Sequence, residues 1–446
     1  MARVEDTGLP LLFEELAAAF EIGPDPTDAG EAVITFAQGR TRVSAAPPSP
    51  DAADPRPPFQ PVQIREFAGR LANGQGEGTG ALSLLSPDAA LGQVRLTHDL
   101  TTAAGAMTVT APGVSFGSRL QPYHITELSR GVVDNVRGVA GAVVRFAWAG
   151  ETVTANASFN PRGLSLSTLA VPAIRGVNGT VEVSDLFTLE TPAGQVLTVE
   201  EFSAGFPLRQ GRLQFQLQPG GVIALEQATW PFAGGRVFIG PTRFVPDAAQ
   251  TNVLVLLQGL DAATLVRELA IPDLTATGQL EGQAPLVLGP TSARIENGEI
   301  RAAAGGGTLS YTGPLPTDLV NLRDPGVLLA FEALRDFSYD DLVLSLNGEL
   351  TSNVVNQPLT TSVSFGGRDR RGALRLDEAV RTPGWLFRRQ TTADPRFEFD
   401  LTVRAPFTSL ARYIASLTDV TAALDLADTA EPAPPTPVDP PPAPGR

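Results

Sequence analysis

From Gly211 to Gly240 the chain reads GRLQFQLQPGGVIALEQATWPFAGGRVFIG. Leu213, Phe215 and Leu217 alternate with Arg212, Gln214, Gln216 and Gln218, so apolar side chains recur with period two and one face of an extended strand is apolar. Pro219, Gly220 and Gly221 supply the geometry of a turn, after which Ile223 and Leu225 restart the alternation in the return direction. Trp230, Pro231, Phe232, Ala233, Gly234 and Gly235 break the pattern as a second turn, and Val237, Phe238 and Ile239 open a third strand. The unit is a small antiparallel meander.

The same punctuation runs along most of the chain. IREFAGRL, GTGALSLL, GQVRLTH and AMTVTAPGVSF between Val62 and Phe116 read as strands, and longer ones follow from Val139 to Val183. Asn-Gly at 73, 178, 297 and 347 predicts hairpin turns, because both residues tolerate positive φ. Glu31 to Val43 reads as strand and turn, and Ala45 to Pro61 as a Pro-rich loop. Helices are few. Leu9 to Phe20 has helical apolar spacing and stops at Gly23 and Pro24; Asp261 caps a helix that Pro272 ends; Asp324 with Pro325 opens another through Leu334; Phe407 to Leu417 makes one more. After Leu426 the sequence becomes EPAPPTPVDPPPAPGR, too rich in proline to bury anything.

These signals predict an all-β fold of antiparallel strands, apolar on one face, joined by short turns and with a few short helices. The expected division is 1–61 (N-terminal helix and loop), 62–160 (upstream strands), 161–426 (C-terminal strand region) and 427–446 (disordered tail).

Composition narrows the function. The 44 glycines and 39 prolines suit many short strands joined by turns, and a net charge of −15 argues against a nucleic-acid surface, which needs clustered cations. Without cysteine there is no disulfide framework and no thiolate metal site. No stretch approaches the ~20 apolar residues that span a bilayer, and MARVEDTGLP lacks the order of a signal peptide.

Candidate chemistry is sparse. Gly113 to Gly117 matches G-x-S-x-G around Ser115, but no helix pattern follows it and His124 comes with no acidic residue between; a turn between strands accounts for it better. His98 and His124, the only histidines, read as surface residues, so no metal site is expected. Gly74, Gly76, Gly78 and Gly80 read as a flexible hairpin loop and not a phosphate cradle, since no helix follows. Glu200 with Glu201 and Asp340 with Asp341 are adjacent on strands and point to opposite faces. Neither a catalytic centre nor a cofactor is expected. The apolar stripe has two readings: a sandwich core, or the lining of an open channel.

A resemblance bears on that choice. GVNGTVEVSDL (176–186), TPAGQVLTVEEF (191–202), FPLRQGRLQFQLQPGGVIALEQATWPFAGG (206–235), GLDAATLVRELAIPDLTATGQLEG (259–282), IENGEIRAAAGGGTLSYTG (295–313) and ALRDFSYDDLVLSLNGEL (333–350) resemble, in order and spacing, the C-terminal region of YdbH-type proteins. These are AsmA-like bacterial intermembrane lipid-transfer proteins, and the resemblance covers residues 160 to 365. Their C-terminal region also bears a dicarboxylate-transport label, for which this sequence offers no basic pocket.

The resemblance implies an elongated antiparallel sheet curled into an apolar β-groove, wet on its other face, that carries phospholipid across the Gram-negative periplasm from inner to outer membrane. Leu213, Phe215, Leu217, Ile223, Leu225, Val237 and Ile239 are the expected lining, with Trp230 and Phe232 at a strand junction. It further implies an inner-membrane anchor and a longer strand array, both upstream of and missing from this sequence. It implies, too, a small outer-membrane lipoprotein at the C-terminal edge, where Phe397, Phe399, Leu401 and Val403 alternate with polar residues. A structural or adhesive β-solenoid on the cell surface is the rival reading.

Overall fold

The computed structural model describes residues 4–5, 11–24, 32–45, 57, 59–130, 133–150, 152–167, 173–203, 207–246, 248–269, 271–289, 292–313, 333–349, 359–370 and 396–405. Within them the chain forms one antiparallel sheet of twenty-one strands. In the N-terminal half these are β1 (Val4–Glu5), β2 (Leu11–Pro24), β3 (Ala32–Ala45), β4 (Val62–Ala72), β5 (Gln75–Leu84), β6 (Ala89–Asp99), β7 (Ala104–Phe116), β8 (Asp134–Ala149) and β9 (Thr152–Ser167). There follow β10 (Ala173–Val183), β11 (Gln195–Ser203), β12 (Pro207–Gln218), β13 (Val222–Phe232), β14 (Gly235–Ile239), β15 (Thr242–Phe244) and β16 (Thr251–Asp261). The last are β17 (Leu274–Leu288), β18 (Ala293–Tyr311), β19 (Phe337–Glu349), β20 (Leu359–Asp369) and β21 (Arg396–Ala405).

Each strand pairs with its neighbours in sequence, except that β14 and β15 lie end to end as one rung beside β13. Among the described residues β1 pairs only with β2 and β21 only with β20, so the sheet does not close into a barrel. This is an antiparallel meander and not the coil of a solenoid.

The hairpin at Pro219–Gly221 forms as its residues demand, with Gly220 at φ 75° and Gly221 at φ 74°. The next turn is tighter than the sequence suggested. Trp230 to Phe232 stay in β13, and only Ala233 (φ 47°) and Gly234 (φ 76°) make the bend. The one α-helix among the described residues, α1 (Ala262–Glu268), is capped as expected: Asp261 accepts from the Thr264 N–H at 2.7 Å.

Leu9 to Phe20 is not a helix. Its described part lies in β2, where Phe20 stands opposite Phe36 and Ile22 opposite Ile34 of β3. The register shifts between Glu14 and Ala19, with Glu15 at φ 56°, so extra bulge residues reset the phase of the alternation and mimic helical spacing. Ladder pairing with β3 overrides the helix propensity of the alanines. Glu31 to Val43, too, holds a single strand from Ala32 instead of strand and turn.

Of the four Asn-Gly pairs only Asn73-Gly74 makes a hairpin turn. Asn178, Asn297 and Asn347 lie inside β10, β18 and β19. Positive φ serves a bulge as well as a turn: Asn297 (φ 55°) sits where the β18 register slips between Ile295 and Gly298, and its N–H donates to the Asn347 side chain.

Nor is the run of alternate glycines from Gly74 to Gly80 a flexible loop; beyond Gly74 it is β5. A Cβ at Gly78 would collide with the ring of Phe67, and one at Gly80 with Ile64, so bare backbone gives these β4 side chains their room. The helices expected from Asp324 and Phe407, and the Pro-rich tail, fall on residues outside those described, apart from Ala333 and Leu334.

Burial is one-sided. In β17 Ala276, Leu280 and Ala284 are buried while Thr275, Thr277, Gln279, Glu281 and Gln283 are exposed. The largest wholly buried side chains include Leu84, Leu260, Phe337 and Tyr339, of which the three aliphatic or phenyl groups contribute about 1.5–3 kcal/mol each. Every apolar cluster draws on consecutive strands, as in a single layer: one on β2 to β7, another on β11 to β16. In a sandwich the clusters would mix strands distant along the sheet.

Tyr339 shows how glycine enters the design. Its hydroxyl donates to the Thr277 carbonyl at 2.6 Å, and its ring lies across Gly307 and Gly278, where any Cβ would meet it. Burial pushes its phenol pKa up. Gly307→Val is therefore expected to lower stability by about 1–3 kcal/mol through overpacking. Gly117→Ala, in open space, should stay within about 0.5 kcal/mol of the parent. Urea midpoints compare the two, and equal midpoints would refute this packing. Asn297→Gly should be tolerated, while Asn297→Val, forced to hold φ near 55°, should cost about 1–2 kcal/mol in the same assay.

Candidate functional site

Seven residues expected on the apolar face come together in one cluster: Leu213, Phe215, Leu225, Trp230, Phe232, Val237 and Ile239. The register explains how. Phe215 stands opposite Leu225, but Leu213 stands opposite Ala228, because β13 carries an extra residue at Glu226–Gln227. That bulge keeps Leu225 and Ala228, an odd number of residues apart, on one face. Ala228, 1% exposed, has no apolar neighbour two residues before it, and the alternation in the sequence does not reveal it.

The other two candidates lie elsewhere. Leu217 and Ile223 form the cross-strand pair next to the hairpin turn, outside the cluster, and Ile223 is 42% exposed.

Trp230 anchors the cluster. Its indole lies over Gly211, where a side chain would collide with it, and its ring centroid is 5.6 Å from that of Phe202. Nε1 is buried without a hydrogen-bond partner. Such an orphaned donor costs about 1–3 kcal/mol, so packing outweighs polar satisfaction here.

Directly opposed residues share a face, and following them from strand to strand traces the apolar surface. One row runs through Leu197, Leu213, Ala228, Ile239, Val255 and Ala284, from β11 to β17. Beside it a second runs through Trp230, Val237, Leu257, Gly282, Ile300, Leu344 and Val363, from β13 to β20. The N-terminal strands carry a third: Gly80, Val94, Val109, Val144, Ala157 and Val183, from β5 to β10. None of these positions is polar. At about 4.8 Å per strand the second row alone is ~29 Å long. Leu257, Ile300, Leu344 and Val363 within it are only half-buried.

The opposite face is polar. Arg175 and Arg209 both pair with Glu201, Arg236 donates to Gln258, and Arg294 pairs with Glu296. Exposed pairs of this kind add little stability, about 0–1 kcal/mol each, and serve to keep that face in water. A cleft of about 530 Å³ near Pro241, Leu254 and Leu256 is distinct from the rows. Leu254 and Leu256 alternate with Val255 and Leu257 and so point the other way.

The residues weighed for chemistry are structural. Ser115 sits within β7 opposite Val139, with no nucleophile elbow. His98 accepts from the Trp148 indole at 3.2 Å and is stacked on it, and His124 accepts from the Gln121 N–H at 3.0 Å. Both are partly buried and engaged, more than surface histidines would be. No group of His, Asp and Glu among the described residues could hold a metal ion. The carboxyls of Asp99 and Asp261 are held below the ordinary range, each chiefly by a threonine hydroxyl, Thr101 and Thr264 respectively; these are turn and cap contacts.

No described helix is long and apolar enough to cross a membrane. No curated protein and no solved structure matches the chain. A family model does: the YdbH-like model, described as intermembrane phospholipid transport protein YdbH, matches residues 13–355. The match starts far upstream of the segments 160–365 in which the resemblance is legible, and takes in β2 to β9 as well. With well over half of its 446 residues matched, and with an open antiparallel sheet that carries apolar rows from β5 to β10 and from β11 to β20, the chain belongs to the YdbH-like family of intermembrane phospholipid transport proteins.

Proposed function

We propose that the apolar face is the floor of a groove in which phospholipid acyl chains cross the periplasm between the inner and outer membranes. The observation that carries this reading is the uninterrupted cross-strand row from Trp230 to Val363. Shielding an acyl chain is worth ~0.8 kcal/mol per methylene, or about 12 kcal/mol for sixteen carbons. Rows of Leu, Ile and Val left half-covered offer that shielding to a guest, and no step requires a bond to be made or broken. The nine residues from Leu213 to Ile239 named above belong to this floor in the proposal, with Leu217 and Ile223 at its margin.

Lipid extracted from the purified chain and identified by mass spectrometry tests the reading directly. Ile300→Asp places a charge in the row and should abolish co-purified phospholipid with the far-ultraviolet circular dichroism unchanged. Gln283→Arg, on the polar face one strand away, should leave the lipid in place. Lipid retained by Ile300→Asp would refute the assignment of the row.

The partners of the proposal are phospholipid, an inner membrane reached through an upstream anchor, and a small outer-membrane lipoprotein at β21. Among the described residues the side of β21 away from β20 has no strand on it. Such an edge recruits another strand through its free backbone donors. Successive N–H groups in an antiparallel strand point to opposite sides. Leu401→Pro and Thr402→Pro, made separately, should therefore differ: one weakens the ladder to β20, the other abolishes capture of the lipoprotein in a pull-down. Full capture by both would exclude strand addition there.

A further inference from the structure

The two long edges of the sheet, where its turns lie, are built differently. Connections leaving the odd-numbered strands up to β13, and then β16 and β18, lie along one rim, and several carry extra chain that folds onto the apolar face. Between β7 and β8 the segment with two 3₁₀ turns (Pro122–His124 and Glu127–Ser129) buries Leu120 against Leu84, Ala111 and Val114. It is tied down by Gln60 N–H to the Ile125 carbonyl at 2.7 Å and by the Gln121 amide, which donates to the Val136 carbonyl at 2.9 Å and accepts from its N–H at 2.9 Å.

Between β16 and β17, α1 packs Ala262, Leu265 and Val266 on the cluster around Phe337, and Glu268 accepts from the Ala233 N–H at 3.2 Å. Before β19, Ala333 is fully buried in the same cluster. At these two places the rim is covered by its own connections.

The other rim carries the turns after β2, β4, β6, β8, β10, β12, β15 and β17. Among the described residues eleven large apolar side chains are exposed: Leu100, Phe187, Leu189 and Val245 lie in this rim's turns, and Ile22 and Ile223 within two residues of a strand end there. The described part of the first rim has one, Leu85, and Leu16, Phe20, Phe159 and Leu254 lie farther inside strands. The long connection between β10 and β11 is tied to the sheet by the Leu186 N–H, which donates to the Ala155 carbonyl at 2.9 Å, and by Thr191, whose N–H donates to the Leu217 carbonyl at 3.0 Å. The Asp185 carboxylate accepts from the Phe187 N–H at 2.8 Å, Asp185 bridges to Glu190, and the ordered turn leaves Phe187 53% and Leu189 43% exposed. Water-facing apolar side chains concentrated on one edge mark a surface with an apolar guest.

We infer that the rim of turns bearing Phe187, Leu189, Ile223 and Val245 is the seam through which phospholipid enters the groove from the side, with the acyl chains sliding over this apolar lip. The rim covered by α1 and residues 117–130 is the back. The inference rests on the acyl-groove reading above. An acyl chain crossing the open rim exchanges one apolar contact for another, whereas at the back it would have to displace packed side chains and a hydrogen-bonded plug.

The test places a photo-crosslinking p-benzoylphenylalanine at single positions of the full chain, and the protein is mixed with vesicles of phosphatidylethanolamine and phosphatidylglycerol. Leu257 reports the groove floor, Ile223 and Val245 the open rim, Leu85 and Arg267 the back. Phospholipid adducts are expected at Leu257, Ile223 and Val245, and only background at Leu85 and Arg267. Adducts at Leu257 with none at Ile223 and Val245, or equal yields at both rims, would overturn the seam while sparing the groove. No adduct at Leu257 would instead overturn the groove, and the seam with it. As a second readout, Ile223→Asp combined with Val245→Asp should slow lipid uptake from the vesicles several-fold, while Leu85→Asp leaves the rate unchanged; equal rates in all three refute the seam.

Discussion

Everything in this molecule depends on strand register. The period of a strand is two, so a slip of one residue between any two neighbours would turn every apolar side chain downstream from one face to the other. A sheet of twenty-one strands with a single apolar face must hold phase across every pairing. The bulges show that phase is reset and not merely inherited. Where β13 gains a residue at Glu226–Gln227, Leu225 and Ala228 remain on the same side; where β16 slips between Leu257 and Leu260, both still pack in the cluster that includes Leu280.

The bulges fall at neighbouring positions in consecutive strands. Towards the α1 rim the register shifts between Leu257 and Leu260, then between Gly278 and Leu280, between Arg301 and Gly307, and between Tyr339 and Asp341. A bulge bends its strand and raises the local twist. Aligned across four strands, these produce a line of bending, and it is there that glycine is densest. Gly278, Gly307 and Gly367 occupy one cross-strand line with Tyr339: its phenol group takes the space side chains at Gly278 and Gly307 would fill, and a side chain at Gly367 would meet the Ser338–Tyr339 backbone. The high glycine content thus has two uses, in turns and in making room for aromatic rings on the apolar face, as Gly78 does for Phe67 and Gly211 for Trp230.

Strand alternation made the fold class and the core of the β12–β14 meander legible, since Leu213, Phe215, Leu225 and Val237 keep period two within each strand. Bulges hid the rest. They gave Leu9 to Phe20 a false helical spacing, and one holds Asn297-Gly298 inside β18, because a positive φ is the same local signal in a turn and in a bulge. Ala228 and Gly282 were invisible for another reason: small residues enter the rows only through their cross-strand partners, and those lie anywhere from one turn to dozens of residues away. Ile223 looked equivalent to Leu225 by alternation, yet it stands at the turn where the strand ends and is left in water.

Half-burial from Leu257 to Val363 is what separates this surface from a binding pocket. A pocket gains affinity by enclosing one ligand with a few placed polar groups, and its deep minimum holds that ligand still. In the row from Trp230 to Val363 each position is apolar and each lies one strand spacing, about 4.8 Å, from the next. On the proposed reading a methylene group leaving Leu257 would meet Ile300 beyond Gly282 at nearly the same free energy. Polar side chains such as Gln283 and Glu281 alternate onto the far face, where they raise no barrier along the path. Because the hydrophobic effect is non-directional and scales with area, a surface of this kind retains an acyl chain without fixing its position, which is the physical requirement for transport as opposed to storage.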